Sequence, residues 1–399
     1  MIAQVTQNNK NTILVSYTII FLISYCLLPY FFLVDLFGES AKLLAQLTIV
    51  SCICVLLGGF LSFKNKVTFK KTLFNYDKTV KFIFGIFLLY IVLVFATAEN
   101  IPFIESLKGT NPQTLAGMRE KFLKARVGWQ YSFIYINAFL SGALVPYLIC
   151  MGFPIRYKYR YLMTIIFALY CISFSEKAFF LRIALPLFYY FYSQTLNKKA
   201  LVIKWTFAML TMLIIMTALG GVQEEGNENA SFFEQNYIPT DPITKTVWRI
   251  VVIPVVTAND AIRVFKENYS GQYFYGNTST LFALIKNKPK IEFEREVFRF
   301  QYGQTEDGTG NANSVYVTEG YVNFGILGVI IFSLLVGFLI RFFAESKDVA
   351  LQGMSVLFVY NMFNGSLIAT IISNGYLFII LIALFIKFKY GENSNLINI

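Results

Sequence analysis

Long apolar runs, separated by short polar stretches, recur along most of the 399-residue chain. A helix that crosses a bilayer needs about 20 consecutive apolar residues, because hydrocarbon offers its backbone no water to bond with. The first run follows a short polar tail and has no small-residue cleavage site, which indicates a retained helix rather than a signal peptide. The pattern predicts ten spans, at residues 13–37, 42–63, 81–98, 128–153, 161–175, 178–193, 204–220, 317–341, 350–372 and 375–388.

Residues 161–175 and 178–193 are short for two spans, and one re-entrant hairpin is the alternative. Either arrangement leaves the later loops on the same side. Composition agrees with a membrane protein, since mean hydropathy is +0.57 and only 14% of residues are charged, whereas soluble domains carry about a quarter. We therefore expect an all-α polytopic membrane protein.

The distribution of charge orients the spans. With the amino terminus inside, the segments on that side hold 17 Lys and Arg residues against four Asp and Glu residues, of 34 and 23 in the chain. Cytoplasmic loops carry such an excess of basic residues, so both termini are predicted to be cytoplasmic. The net charge of +11 is thereby explained by topology, and no nucleic-acid partner is expected.

Two polar segments fall on the far side. Residues 99–127 contain Asn111-Pro112, a helix start, followed by the apolar Leu115, Met118 and Phe122 at helical spacing among basic residues. Such a basic amphipathic helix either rests on lipid headgroups or attracts a polyanionic lipid such as a polyprenyl diphosphate.

The second segment, residues 221–316, is long enough to suggest function. Thr240-Asp241-Pro242 predicts another helix start. The apolar stretch 247–257 is too short to span a bilayer, and we interpret it as an interfacial or re-entrant helix. The chain thus divides into a membrane bundle of about seven spans (1–220), a large loop with short helices (221–316), and three final spans with a cytoplasmic tail (317–399).

All five cysteines lie inside apolar runs, and the far-side loop has none. No disulfide framework is therefore expected, which favours a bacterial inner membrane protein with its loop in the periplasm. The chain also contains no His, so a general base must be a carboxylate, and neither a metal nor a cofactor is expected.

Ionisable residues at membrane depth are functional candidates, because their burial is costly. Glu176 and Lys177 lie at the tip of one helical pair, Arg182 lies about one turn further in, and Pro186 follows. Cations at one spot suit a phosphate or diphosphate; the alternative is an ion pair of Glu176 with Arg182 or Lys177 that holds helices together.

A second polar group surrounds Glu319, which is the best-placed general base; Glu306, Asp307 and Asp260 are its rivals. Amides and aromatic rings of the kind that bind sugars accompany it, although interhelical hydrogen bonding explains any single Asn as well. The candidates for substrate binding in this group are Asn313, Ser314, Tyr321 and Asn323.

Three stretches carry a resemblance to a known family: 175–182, with Ser-Glu-Lys leading to Arg182; 248–254, Trp-Arg-Ile-Val-Val-Ile-Pro; and 309–328, which contains Glu319-Gly-Tyr-Val-Asn-Phe-Gly. In these stretches and in its overall plan the chain resembles the Wzy-type O-antigen polymerases, which polymerise oligosaccharide repeat units.

The resemblance implies a metal-independent, GT-C-like glycosyltransferase. It would transfer the growing glycan from undecaprenyl diphosphate to a hydroxyl of the next lipid-linked repeat unit, at the periplasmic face. Arg182 and Arg249 would bind the diphosphates, with Lys177 and Arg263 assisting, and Glu319 would act as base or orient the acceptor. Arg299 and Gly310 match an Arg-x10-Gly pattern once. The implied partners are a chain-length regulator and a flippase, besides membrane lipid.

Three other functions remain as alternatives. A lipid-linked oligosaccharide flippase favours more spans and short loops, unlike a loop of nearly a hundred residues. An O-antigen ligase shares the fold, but related ligases depend on a His, which this chain lacks. A general transporter or receptor is the third.

Overall fold

The structure is a computed structural model. It describes residues 2–61, 71–175, 177–219, 232–233, 237, 239, 241–302, 312 and 315–389. Its α-helices are α1 (Ile2–Leu22), α2 (Val34–Phe37), α3 (Glu39–Phe60), α4 (Tyr76–Ala96), α5 (Pro102–Leu107), α6 (Pro112–Arg119), α7 (Ser132–Phe139), α8 (Val145–Gly152), α9 (Arg160–Ser173), α10 (Lys177–Gln194), α11 (Lys198–Leu219), α12 (Pro242–Tyr269), α13 (Thr280–Ile285), α14 (Phe293–Tyr302), α15 (Tyr316–Glu345), α16 (Val349–Asn364) and α17 (Tyr376–Phe385).

Wider or tighter turns link several of these helices. The π-helical turns are Ile23–Leu27, Pro29–Leu33, Glu120–Lys124, Leu140–Leu144 and Ala369–Ser373, and Gly128–Tyr131 is a 3-10 turn. Two short strands, β1 (Thr72–Asn75) and β2 (Ile386–Lys389), pair in parallel. The last predicted span is therefore too long at its end, because the backbone leaves the helix after Phe385 and pairs with β1.

Five segments of the described chain are long and apolar enough to cross a bilayer: Thr12–Phe37, Glu39–Phe60, Tyr76–Ala96, Gly128–Gly152 and Tyr316–Glu345. Each coincides with a predicted span. The other five predicted spans are occupied mainly by α9, α10, α11, α16 and α17. The expected all-α class agrees with a membrane protein that in its described part is helical apart from this short strand pair, whereas the number of ten spans and the GT-C-like fold stay predictions.

The chain forms two compact units that interleave along the sequence. Unit 1 contains Met1–Lys64, Glu224–Ala344 and Phe358–Thr370, and unit 2 contains Asn65–Gln223, Glu345–Leu357 and Ile371–Ile399. The predicted division into 1–220, 221–316 and 317–399 is of another kind, because it separates membrane-spanning segments from the loop. It stays a prediction.

In unit 1, α3 and α15 pack backbone to backbone. A Cβ at Gly337 would lie 1.9 Å from the Val55 carbonyl oxygen, and one at Gly58 would lie 2.1 Å from that of Leu334. Small residues permit such contact between apolar helices, where lipid provides no hydrophobic drive to associate. The contact is extended by a buried hydrogen bond of 2.8 Å from Ser333 Oγ to Ser51 Oγ.

The helix start at Thr240-Asp241-Pro242 is confirmed. Asp241 Oδ1 accepts hydrogen bonds from the backbone N–H groups of Ile243 and Thr244, at 2.9 and 2.8 Å, and thereby caps α12. With 28 residues, α12 extends well beyond the apolar stretch 247–257. Its apolar side chains pack into two clusters of unit 1, around Trp248 and Phe265.

Replacing Gly337 by Ala should weaken unit 1, because the added methyl group overlaps the α3 backbone; overpacking of this kind costs about 1–3 kcal/mol. We expect a lower melting temperature in detergent and less protein in the membrane. The matched control is Gly85→Ala in α4, where nothing lies within 4 Å of the added Cβ. If both variants melt alike, the close approach of α3 and α15 is refuted.

Candidate active-site residues

Arg182 lies in the second turn of α10, in unit 2, and its partners are neutral. One guanidinium NH donates to Ser141 Oγ. The guanidinium carbon also lies 3.9 Å from the centre of the Phe179 ring, one turn earlier in the helix. Stacking on an aromatic face orients an arginine without cancelling its charge.

A chain of hydrogen bonds fixes the serine that holds Arg182. Ser141 Oγ donates to Asn137, whose backbone oxygen lies at 2.7 Å and whose Oδ1 lies at 2.9 Å. Asn137 Oδ1 also accepts from the Tyr170 hydroxyl at 2.7 Å, and Tyr170 lies 3.1 Å from the Tyr90 hydroxyl. Because the serine proton is used by Asn137, the serine lone pairs remain for Arg182.

The local backbone explains how Ser141 reaches Arg182. Ser141 and Gly142 belong to the π-helical turn Leu140–Leu144, a wide turn that is frequent at functional sites. A Cβ at Gly142 would lie 2.7 Å from the Asn374 carbonyl oxygen, so only Gly fits between these backbones. Sequence periodicity does not reveal such a wide turn, and Ser141 and Asn137 were not predicted as site residues.

Arg126 is a second cation of unit 2 with neutral partners, and it is only 6% exposed. It donates to the carbonyl oxygens of Phe122 and Val94 at 2.8 and 2.9 Å, to Gln130 Oε1 at 3.1 Å, and to Thr97 Oγ1. Burial lowers its pKa below the ordinary value. Both Arg126 and Arg182 lie close enough to the Tyr90 hydroxyl to interact with it electrostatically.

The predicted amphipathic segment supplies Arg126 and a third arginine. Its helix begins at Asn111-Pro112 as predicted, since the Leu115 N–H donates to the Asn111 oxygen at 2.9 Å. Leu115 and Phe122 are buried within the protein. One Arg119 nitrogen donates to Ser175 Oγ at 3.2 Å, which ties this segment to the turn before α10.

Glu319 lies in unit 1, in the first turn of α15, and is 6% exposed. The Ser366 hydroxyl donates to its Oε1 at 2.6 Å, and the Leu367 N–H donates to its Oε2 at 2.8 Å. These donors follow α16, where the chain is non-helical for two residues before it turns again. Glu319 thus accepts from the first free N–H groups of a new helical turn.

Asn323, one turn further along α15, is fully used by the protein. Its Oδ1 accepts from the Gly276 N–H at 2.8 Å, and its Nδ2 donates to Thr278 Oγ1 and to the Glu319 carbonyl oxygen, both at 2.9 Å. It therefore holds the loop before α13 against α15. Tyr321 packs beside this loop, 5.8 Å from the Phe265 ring.

The arginines predicted in the large loop occupy different environments of unit 1. Arg249 is exposed on α12. Arg263, one-third exposed, lies 3.5 Å from Asp260 and 3.7 Å from Glu267. Arg299 lies in the last turn of α14. These basic residues share the unit with Glu319, whereas Arg182 belongs to unit 2.

Several predicted residues fall outside the part of the chain that is described. They are Glu176, Asn313 and Ser314, together with the rival bases Glu306 and Asp307 and residue Gly310. Lys177 begins α10, but its side chain is not described. The proposed ion pair of Glu176 with a neighbouring cation therefore stays a prediction. Among the described side chains, no three His, Cys, Asp or Glu residues are grouped as metal ligands.

Glu294 is a carboxylate that the sequence did not single out. It lies half-buried in the first turn of α14. The neighbouring glutamates have partners of their own: Glu296 accepts a hydrogen bond from the Tyr269 hydroxyl at 2.5 Å, and Glu292, just before the helix, pairs with Lys290 at 3.0 Å. Burial raises the pKa of Glu294 to about 7, and the nearby charge of Glu292 acts in the same direction against that of Lys290.

Apolar helices of membrane-spanning length define a multi-pass membrane protein, and sequence comparison assigns it to a family. The chain matches the family described as "O-antigen polysaccharide polymerase Wzy" over residues 1–393, essentially its whole length. No curated protein and no solved structure matches it significantly. The chain belongs to the Wzy family of O-antigen polysaccharide polymerases, and the resemblance noted in the sequence is confirmed.

The pKa of Glu294 has a consequence for stability. The pKa of the Glu294 carboxyl is about 7 in the folded protein and about 4.5 in the unfolded chain. Between pH 4.5 and pH 7 the folded protein therefore keeps a proton that the unfolded chain has released. The melting temperature should therefore fall as pH rises from about 5 to about 7, and Glu294→Gln should flatten the slope. Glu99→Gln, which removes an exposed carboxylate of unit 2, is the control. An unchanged slope in Glu294→Gln contradicts this assignment.

Proposed function

We propose that this chain polymerises lipid-linked oligosaccharide repeat units at the periplasmic face of the bacterial inner membrane, with both termini in the cytoplasm. The growing glycan leaves undecaprenyl diphosphate and joins a hydroxyl of the next undecaprenyl-diphosphate-linked repeat unit. Membership of the polymerase family and the apolar spans support this proposal. A glycosyltransferase that needs no metal agrees with a leaving group held by arginines.

The observation that carries the proposal is the pair of guanidinium groups in unit 2 with neutral partners. Arg182 is held by Ser141 and Phe179, and Arg126 by main-chain and side-chain oxygens. In the described residues neither forms a salt bridge with a carboxylate. Uncompensated positive charge beside one hydroxyl network favours a polyanion such as a diphosphate, whose oxygens match the planar fork of arginine.

The transfer can be written with these groups. The bond between the anomeric carbon and the diphosphate oxygen breaks, the acceptor hydroxyl oxygen bonds to that carbon, and its proton passes to a carboxylate. The diphosphate leaves with the electron pair, and Arg182 stabilises the charge that develops on it. Within unit 2, Lys177 assists Arg182. Within unit 1, Arg249 serves the diphosphate of the second lipid, with Arg263 and Arg299 assisting.

Glu319 is our first candidate for the proton acceptor. Both its oxygens already accept hydrogen bonds within unit 1, so its carboxylate is fixed in position. A carboxylate fixed in this way can accept the proton of the acceptor hydroxyl, or it can orient that hydroxyl for attack. Asp260, Glu306 and Asp307 are the alternatives, while Asn313, Ser314 and Tyr321 would contact sugar, with Glu176 near the diphosphate. Asn323, whose amide is already bonded to Gly276, Thr278 and Glu319, would hold the loop beside the sugar.

A genetic test separates polymerase from flippase. Deleting the gene should leave surface glycan capped by a single repeat unit, since units still cross the membrane but are not joined. Arg182→Ala and Arg249→Ala should reproduce this phenotype at normal protein level. Lys204→Ala, which removes an exposed charge of α11, is the matched control and should leave long glycan unchanged. Repeat units trapped on the cytoplasmic side in the deletion strain would refute the proposal.

The hydrogen-bond chain behind Arg182 gives a second prediction. Asn137→Asp places a carboxylate one hydroxyl away from the guanidinium, so Arg182 gains a counter-charge and loses affinity for diphosphate. We expect long glycan to fall about tenfold or more, as loss of about 1.4 kcal/mol implies. Asn137→Leu should lower the melting temperature instead, because it removes the Oδ1 atom that accepts from the buried Tyr170 hydroxyl, while the Ser141 hydroxyl keeps the backbone oxygen of residue 137. Normal glycan length in Asn137→Asp would contradict the role given to Arg182.

A further inference from the structure

The middle of α12 contains a helical turn that is buried on every side. Residues Ala258–Ile262 are all 0% exposed, and two of them, Asn259 and Asp260, are polar. This turn lies in unit 1, and Arg263, which is one-third exposed, follows it directly in α12. Polar side chains at such depth are retained at a cost in stability unless they find hydrogen-bond partners.

Asp260 belongs to a bonded polar cluster. Gln301 of α14 donates through its Nε2 to Asp260 Oδ2 and to Thr257 Oγ1, both at 3.0 Å. Thr257 and Gln301 are 4% and 9% exposed. The Arg263 guanidinium, one-third exposed, lies 3.5 Å from Asp260 Oδ1, so a line of polar groups connects the solvent with the buried turn.

Asn259, beside Asp260, differs from this cluster. Both of its polar atoms, Oδ1 and Nδ2, are buried and have no hydrogen-bond partner among the described residues. Every other described Asn that is 0–4% exposed, Asn137 and Asn323, has its amide bonded. An apolar side chain of similar size would be the more stable choice at position 259, so stability does not account for the amide.

The chemistry of the amide selects its ligand. Oδ1 can only accept hydrogen bonds, and Nδ2 can only donate them. A phosphate or carboxylate would satisfy Nδ2 alone, and a cation would satisfy Oδ1 alone. Two neighbouring hydroxyl groups of a sugar ring satisfy both atoms, since each hydroxyl donates and accepts.

We propose that Asn259, in the buried turn next to the Thr257–Asp260–Gln301 cluster, binds neighbouring hydroxyl groups of a saccharide. This subsite rests on the proposed function and deepens it, because it assigns the sugar of a repeat unit to unit 1 and leaves the diphosphate to the arginines. Arg263, one turn along α12 from Asn259, is the exposed polar group of this helix nearest to the turn.

The test uses full-length protein in detergent and, as probe, the repeat-unit oligosaccharide released from its lipid by mild acid. The probe should raise the melting temperature of the wild-type protein, since a ligand that binds only the folded state stabilises it. Asn259→Leu should melt about 1–2 °C higher than wild type without sugar, because an unpartnered amide has been removed. It should show no further rise with sugar, and long glycan in cells should fall about tenfold or more.

Two further variants make the outcome specific. Arg182→Ala should keep the sugar-dependent rise, because the probe carries no diphosphate; loss of polymerisation with retained sugar binding then separates the two proposals. Asn259→Ala serves if the Leu variant fails to accumulate. The subsite is refuted if the oligosaccharide leaves the wild-type melting temperature unchanged. It is equally refuted if both Asn259 variants polymerise normally, which would mean that the amide binds an ordered water only.

Discussion

A guanidinium group buried among neutral oxygens governs the arrangement of unit 2. Arg126 donates four hydrogen bonds to oxygens of three segments: the end of α4, the turn at Phe122 and the start of the next span. Arg182 donates a hydrogen bond to Ser141 Oγ, and the Ser141 hydroxyl in turn donates to Asn137. Removing a charge from water is costly unless every donor is bonded. The helices of unit 2 supply these oxygens to Arg126 and Arg182, and the partners leave the positive charge of each guanidinium uncompensated.

Unit 1 uses its polar groups differently. Glu319 accepts from the donors at the break after α16, and Asn323 fastens the loop at Gly276. Both residues therefore hold irregular backbone in place, which buried chain segments require because unpaired N–H groups are costly. Positioning and chemistry are compatible roles: a carboxylate fixed by two donors presents a constant geometry to an acceptor hydroxyl. The amide of Asn259 differs, because none of the residues that the structure describes bonds to it.

Much of this fold follows from the sequence. Apolar runs located the spanning helices, and Asn111-Pro112 and Asp241-Pro242 marked helix starts, because caps and proline act locally. Local patterns fail where distant backbone decides: β2 replaces the end of a predicted helix since it pairs with β1. Arg182 was predicted from its charge at membrane depth, whereas Ser141, Asn137 and Arg126 depend on a π-helical turn and on partners that a single sequence does not reveal. The relation of Arg182 to Glu319 stays a prediction.

The most direct measurement is the melting temperature of the purified protein with undecaprenyl diphosphate and, separately, with undecaprenol, which has the same lipid chain but no phosphate. We expect the diphosphate to raise the melting temperature of the wild-type protein and undecaprenol to have little effect. In Arg182→Ala the rise should be clearly smaller, because only the diphosphate site assigned to Arg249 remains, and added salt should weaken the rise in the wild type. An equal rise in wild type and Arg182→Ala would contradict the assignment of the diphosphate to this arginine.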